Sequence, residues 1–166
     1  KTTGWISYSL AWSYRRFGNI NFGNWYPYKY DRRHDIGLVI NHAFNKKVDI
    51  GITWEFYSGN MFTVISQTYL AEHGIDTELA RIQYFENRNN YRLPAYHRMD
   101  FNINFHKQKR KYTRTWSINI YNVYNNMNKF FVYYGNDDKN GRKDILVLKK
   151  YNIFPVLPSF TYSIQF

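Results

Sequence analysis

The alternation of side chains along this chain predicts an all-β fold, an antiparallel transmembrane β-barrel segment of about six meandering strands. Three observations lead there. Apolar and polar residues alternate with period 2 over long stretches, so each strand has one apolar and one polar face. The connections are asymmetric, with tight links at Asn45-Lys46-Lys47 and Lys107–Tyr112 and long ones at Gly18–Tyr30, Ser66–Ala95 and the hairpin tip around Gly135–Lys143. Short turns at one rim and long loops at the other are the pattern of membrane barrels. Aromatic residues also recur near strand ends (Tyr14, Phe17, Phe44, Phe56, Trp116 and Phe166), as girdles at the lipid headgroup level require.

The strand regions follow in order. Gly4–Phe17 sets Ile6, Tyr8, Leu10, Trp12 and Tyr14 against Ser7, Ser9, Ala11, Ser13 and Arg15. Asp31–Asn45 sets Ile36, Leu38, Ile40, His42 and Phe44 against Gly37, Val39, Asn41, Ala43 and Asn45. Val48–Ile65 sets Ile50, Ile52, Trp54 and Phe56 against Asp49, Gly51, Thr53 and Glu55. Tyr96–His106 sets Met99, Phe101, Ile103 and Phe105 against Asp100, Asn102, Asn104 and His106. Thr113–Tyr134 sets Trp116, Ile118 and Ile120 against Ser117, Asn119 and Tyr121. Asp144–Phe166 sets Phe160, Tyr162, Ile164 and Phe166 against Ser159, Thr161, Ser163 and Gln165. Within the first set of each pair only His42 is not apolar or aromatic.

Alternation alone does not say whether the apolar face meets a protein core or lipid. Its area decides. The side chains amount to on the order of 2,000 Å², against the few hundred a soluble monomer tolerates, and no segment of the sequence supplies a second layer. The opposite face is small and hydrogen-bonding rather than coated with Lys and Glu. Aromatics make up 21% of the chain while mean hydropathy is −0.64, so the apolar residues are concentrated on one ordered face. No apolar run approaches the ~20 residues of a membrane helix. Cys is absent, which excludes disulfides and thiolate metal sites. The net charge of +11 is scattered, and its densest cluster (Lys107, Lys109, Arg110, Lys111, Arg114) falls in a turn, which reads as a solvated turn rather than a binding patch.

Six strands cannot close a membrane barrel, since the smallest have about eight. An open edge in hydrocarbon leaves unpaired backbone groups costing several kcal/mol each. The chain starts at Lys1 without an initiator Met, so the expectation is that partner strands lie upstream in the same polypeptide.

Five segments carry a family resemblance. "GWISYSLAWSYRRF" with "WYPYKYDRRHDIGL", then "WEFYSGNMFT", "NRNNYRLPAYHRMDFNINF", "YNVYNNMNKFFVYY" and the ending "FPVLPSFTYSIQF" resemble, in order, the last strands and loops of TonB-dependent outer-membrane receptors, in the subgroup with a carboxypeptidase-regulatory-like domain before the plug. The resemblance spans Gly4 to Phe166. It implies that residues 1–166 are the C-terminal part of a barrel of about 22 strands, with the plug domain and earlier strands upstream. It further implies outer-membrane TonB-dependent import of a bulky nutrient such as a siderophore, haem, glycan or peptide. The implied partners are outer-membrane lipid and lipopolysaccharide, the plug and upstream strands, TonB through the N-terminal part, the assembly machinery and a surface lipoprotein. Nucleic acid is not among them. The alternative is a structural or adhesive barrel without active transport.

Candidate residues follow from this frame. Lumen-facing charges (Arg15, Asp35, Asp49, Glu55, Arg98, Asp100, His106) are placed to contact the plug or solute, with Arg98 and Asp100 close enough to pair. Arg32, Arg33 and His34, where a loop meets a strand, read as a rim salt-bridge network. In the long loop, Tyr69, His73, Tyr84, Phe85 and Tyr91 can stack on a ligand, and Asp76–Arg81 is expected to form a short helix capped by Asp76. Tyr162, Ile164 and Phe166 suit barrel closure and the assembly signal. Pro155 and Pro158 are expected to interrupt the ladder before Ser159. Lys129, Lys139, Arg142, Lys143, Lys149 and Lys150 are candidates for lipid phosphates. HExxH, GxSxG, P-loop and dinucleotide motifs are absent, so no catalytic residue, metal or cofactor is assigned.

Overall fold

The computed structural model describes residues 1–72, 79–137 and 142–166. In chain order the strands are β1 (Thr2–Leu10), β2 (Tyr14–Arg15), β3 (Tyr26–Pro27), β4 (His34–Asn45), β5 (Val48–Tyr57), β6 (Met61–Phe62), β7 (Gln67–Glu72), β8 (Leu79–Tyr84), β9 (Tyr91–Arg92), β10 (Tyr96–Gln108), β11 (Thr113–Tyr121), β12 (Lys129–Asp137), β13 (Arg142–Asn152) and β14 (Leu157–Gln165). The fold is all-β and antiparallel. It divides into two compact units, one of Lys1–Ser9, Asp35–Tyr57 and Ala95–Phe166, the other of Leu10–His34 and Ser58–Pro94.

The first unit holds a six-stranded sheet in the order β1-β4-β5-β10-β11-β14, a meander of the long strands. Among the described residues β1 and β14 each have one neighbour, so both edges are open. The tight turns have local causes. Asn45 Oδ1 accepts from the N–H groups of Lys47 (2.7 Å) and Val48 (3.1 Å), an Asx turn that reverses the chain between β4 and β5. The β10–β11 turn closes with Lys109 N–H donating to the Tyr112 carbonyl at 2.8 Å.

Several expected strands are shorter than the alternation suggested. Thr113–Tyr134 is two strands, because the chain leaves the sheet after Tyr121 through Asn122 and Asn125 at φ +55° and +52°. Asn tolerates this left-handed region better than most residues. The fully buried Asn122 side chain donates to the carbonyls of Asn126 (3.0 Å) and Phe154 (3.1 Å) and accepts from Asn126 N–H at 2.9 Å. Asp144–Phe166 likewise divides into β13 and β14, with Phe154 at φ +65° between them. Pro158 lies within the ladder opposite Ile120 rather than interrupting it. An edge strand accepts proline where its nitrogen faces away from the neighbour. The first strand ends at Leu10, the second begins at His34, and the third ends at Tyr57.

The second unit contains the two-stranded pairs β2–β3, β6–β9 and β7–β8. Its anchor is Asp31, 1% exposed. The carboxylate accepts from Ser13 N–H at 2.7 Å and pairs with Arg92 at 2.5 Å and Arg33 at 3.7 Å. Arg92 also donates to the carbonyls of Asp31 and Gly59, so a buried charge is paired and hydrogen-bonded as its desolvation requires. Asn89 adds bonds to Pro27 and Thr63. The helix expected over Asp76–Arg81 is overturned from Leu79 onward, where β8 pairs with β7 in register from Gln67↔Tyr84 to Glu72↔Leu79. A cross-strand partner outweighs weak local helix preference. Residues 76–78 lie outside the described residues.

Among the described residues the buried apolar side chains are Tyr26, Met61 and Val132. None of them is on the six-stranded sheet. Its apolar face is open, with Ile6 72% and Phe160 74% exposed.

Candidate functional site

The polar face of the six-stranded sheet gathers six of the seven lumen-facing candidates, all but Arg15. Registry explains why. Asp35 stands opposite Tyr57, Arg98 opposite Glu55, and Asn104 opposite Asp49, so alternate residues of β4, β5 and β10 share this face.

Two ionic groups lie along it. In the first, the half-buried Arg98 pairs with Asp100 at 3.1 Å and Glu55 at 3.4 Å. Its Nη1 donates to the hydroxyls of Tyr96 (3.0 Å) and Tyr121 (2.7 Å), and its guanidinium lies 4.3 Å from the Tyr121 ring centre. Tyr96 stacks on Tyr57 with centroids 4.4 Å apart. The other Asp100 oxygen accepts from Asn122 N–H at 2.9 Å. Arg98 therefore ties β5, β10 and β11 into one wall. The two-apart pair Arg98–Asp100 is in contact, while Glu55, Tyr96 and Tyr121 complete a network that spacing along one strand did not reveal.

In the second group, His106 Nε2 lies 2.5 Å from Asp49 Oδ1 and His106 Nδ1 lies 2.9 Å from Thr115 Oγ1. Asn104 donates to the other Asp49 oxygen at 2.8 Å. A carboxylate, an imidazole and a hydroxyl in series can polarise a nucleophile. Here all three sit near the ends of neighbouring strands, beside the tight turns, and link β5, β10 and β11 across the ladder. The arrangement is suited to binding and cross-strand bracing.

Between the two groups the face is uncharged. One cross-strand row runs Asn41, Gly51, Asn102, Asn119, Ser159. A shallow hollow of about 190 Å³ opens here, lined by Gly51, Thr53, Asp100, Asn102, Asn119 and Tyr121 among others. Trp5 also belongs to this face, because its ring and Ser7 Oγ both lie over Gly37. It was missed because it precedes the regular Ser-rich run of β1.

Other candidates are placed elsewhere. Arg15 is not on the sheet. The chain leaves β1 after Leu10, and Arg15 in β2 stacks its guanidinium 3.6 Å from the Tyr28 ring centre. Of the rim cluster, Arg33 pairs with Asp31 and Arg32 Nε reaches Asn60 Oδ1 at 3.5 Å. Asp31 and Arg92, which anchor that network, were not singled out, since nothing in sequence marks residues 61 positions apart as partners. Tyr69 and Tyr84 meet edge-on across β7 and β8 at 6.4 Å. Phe85 is exposed just beyond β8, and Tyr91 in β9 is half-buried opposite Phe62. His73 lies outside the described residues, as does Lys139. Arg142, Lys143, Lys149 and Lys150 are in β13, and Lys129 begins β12.

At the free edge, Tyr162 packs on Trp116 at 4.6 Å, Ile164 faces Arg114 in register, and Phe166 follows β14 beside Tyr112 at 6.2 Å. On the same apolar face His42 is satisfied by Thr2 Oγ1 at 2.7 Å and packs edge-on against Phe44. Outside the strands, Tyr124 lies 3.0 Å from His97 Nδ1, and burial raises its hydroxyl pKa above the ordinary value.

Comparison with protein-family models, curated proteins and solved structures gives no match to this chain.

Proposed function

We propose that the chain forms six adjacent strands of an outer-membrane β-barrel, in a TonB-dependent receptor that imports a bulky nutrient. The observation that carries the membrane reading is the uncovered apolar face of the sheet. Ile6, Leu10, Phe44, Trp116, Phe160 and Ile164 are all exposed on strands whose other face is hydrogen-bonded and charged. In water such a face would be unstable, and lipid is the solvent that suits it. Strand lengths support the same reading. The six run from 9 to 13 residues, against the roughly 9–11 needed to cross a bilayer at a tilt. Trp54–Phe56, Trp116–Tyr162 and Tyr112–Phe166 put aromatic pairs near strand ends, with Ile50, Ile52, Ile103 and Ile118 between.

On this reading the polar face lines a water-filled lumen. The open edges at β1 and β14 pair with further strands, and Tyr162, Ile164 and Phe166 form the closure seam. Active import rests on the sequence resemblance, so it needs its own test. Outer-membrane fractionation followed by gel migration with and without boiling should give a heat-modifiable band. Extraction without detergent would refute the membrane reading. Nutrient uptake that persists unchanged after loss of TonB would refute active transport.

A further inference from the structure

The six-stranded sheet carries its charge unevenly along the strands. Its side-chain carboxylates are Asp35, Asp49, Glu55 and Asp100, and all but Asp49 stand toward the long-loop ends. At the short-turn end Asp49 is already engaged by His106 and Asn104, and Lys1 lies beside it on the polar face. Register brings the two tight turns together at this end. Phe105 pairs with Val48, and His106 N–H donates to the Lys47 carbonyl at 2.7 Å. Lys46 and Lys47 of one turn thereby join Lys107, Lys109, Arg110, Lys111 and Arg114 around the other. Among the described residues none of these seven cations is in an ion pair, and neither is the terminal carboxylate of Phe166.

The second observation is the side on which two of the cations stand. Lys107 is opposite Arg114 in register, two residues beyond the Phe105↔Trp116 pair, so both belong to the apolar face. Arg114 in turn stands opposite Ile164. Like charges directly opposite destabilise a strand pair, and Arg114 Nε is buried with no hydrogen-bond partner. Around them Phe105 and Trp116 are exposed and Phe166 is 95% exposed. A solvated turn accounts for Lys109, Arg110 and Lys111, which lie in the connection itself. It does not account for a pair of cations on the apolar side of the strands.

We propose that this rim is a binding site for the phosphate of a net-anionic phospholipid, with Lys107 and Arg114 holding the headgroup. The inference rests on the membrane reading, which puts the end of the apolar band at headgroup level. The aliphatic stems of both side chains lie along apolar surface while their charged ends reach the phosphate. The guanidinium fork fits phosphate oxygens, and the ammonium acts as a point charge beside it. A phosphate between them supplies the acceptor that Arg114 Nε lacks and turns a repulsive pair into a clamp. The five surrounding cations favour a net-negative headgroup over a zwitterionic one, because each basic group near the surface adds attraction. The short turns share one rim, so the site selects lipid from one leaflet. It is separate from the β12–β13 lysines, which belong to another sheet.

The test reads lipid preference locally. The full protein, with Trp116 as its only tryptophan, is reconstituted in bilayer nanodiscs of phosphatidylcholine with a minority of phosphatidylglycerol. Either one lipid or the other carries brominated acyl chains. Per brominated lipid, phosphatidylglycerol should quench Trp116 about fivefold more effectively. Lys107→Gln combined with Arg114→Gln should remove most of that preference, and Arg114→Lys should keep most of it. With Trp54 as the only tryptophan, toward the other end of the apolar face, the preference should be small. Heat-modifiable migration of each variant reports whether the barrel is intact. If lipid quenches Trp116 but both lipids do so equally, or the double variant keeps the full preference, the phosphate site is wrong while the membrane reading stands. An equal preference at Trp54 would make the attraction a property of the whole barrel and overturn the site as well. Equal quenching by the two lipids, with binding of soluble polyphosphate that the double variant loses, would assign the cations to a soluble polyanion instead. If lipid quenches neither tryptophan, the membrane reading itself fails.

Discussion

Placing a charge at Ile52 tests which solvent the apolar face meets. Ile52 stands in register between Ile40 on β4 and Phe101 on β10, with Ile50 on one side along β5 and Trp54 on the other, so it lies in the middle of the apolar band. In a bilayer, arginine at mid-depth of a barrel's lipid face costs about 2–4 kcal/mol, falling to about 0–1 near the interface. Ile52→Arg should therefore shift the unfolding equilibrium by about thirtyfold or more. Phe44→Arg, one residue before the β4–β5 turn begins at Asn45, should cost no more than about 1 kcal/mol. The assay is urea unfolding in lipid vesicles, followed by tryptophan fluorescence. If this face met water, Ile52→Arg would be neutral or would improve solubility, since exposed apolar side chains gain nothing there. Equal effects at Ile52 and Phe44, or no destabilisation at either, would refute the depth-dependent reasoning.

Three further outcomes follow from the same geometry. Arg92→Ala leaves the Asp31 carboxylate buried without its nearest partner, at a cost of about 3 kcal/mol. Limited proteolysis should then cut within residues 10–34 and 58–94 while β5, β10 and β11 stay protected, and an unchanged digestion pattern would contradict this. Asn122→Ala removes three side-chain hydrogen bonds and puts alanine at positive φ, costing about 2 kcal/mol. Hydrogen exchange should accelerate at residues 122–128 and 153–156, and unchanged protection there would argue against the Asn knot. Gly51→Val should displace the Asn102 carboxamide, which lies where the new Cβ would stand, so stability should fall by about 1–3 kcal/mol. Gly51→Val with wild-type unfolding would mean that Asn102 does not lie over this backbone.

Much of the sheet was legible because a strand's side-chain period is 2 and one solvent rewards it continuously. The middle of every long strand follows from that rule, from Ile36 to Phe44 and from Met99 to Phe105. The strand ends were harder. Apolar residues continue past Tyr121 at Val123 and Tyr124 and past Asn152 at Ile153 and Phe154, but the chain leaves the ladder there, where buried Asn122 finds partners in Asn126 and Phe154. That is a long-range bargain no local pattern encodes. Ile82 and Tyr84 were assigned to a loop because their pairing with Tyr69 and Gln67 is set only by cross-strand register. The polar face was partly visible: Arg98 and Asp100 are two residues apart on one strand, so their contact is a local expectation. Glu55, Tyr121 and Thr115 join the ionic groups only through cross-strand register. Arg15 was misplaced because its parity matched the polar face, although the strand that would have carried it ends at Leu10. Asp31 with Arg92 depends on tertiary contact alone, whereas Trp5 shares the parity of Ser7 and Ser9 and could have been placed on their face.

The most direct measurement compares two tryptophans on opposite faces. Single-tryptophan variants retaining either Trp54 or Trp5 are reconstituted into vesicles containing brominated lipid, and quenching by lipid is compared with quenching by aqueous iodide. Trp54, on the apolar face beside Phe56, should be quenched by the lipid and shielded from iodide. Trp5, on the polar face over Gly37, should show the reverse. Equal iodide quenching of both, with none by lipid, would place the apolar face in water and overturn the membrane reading.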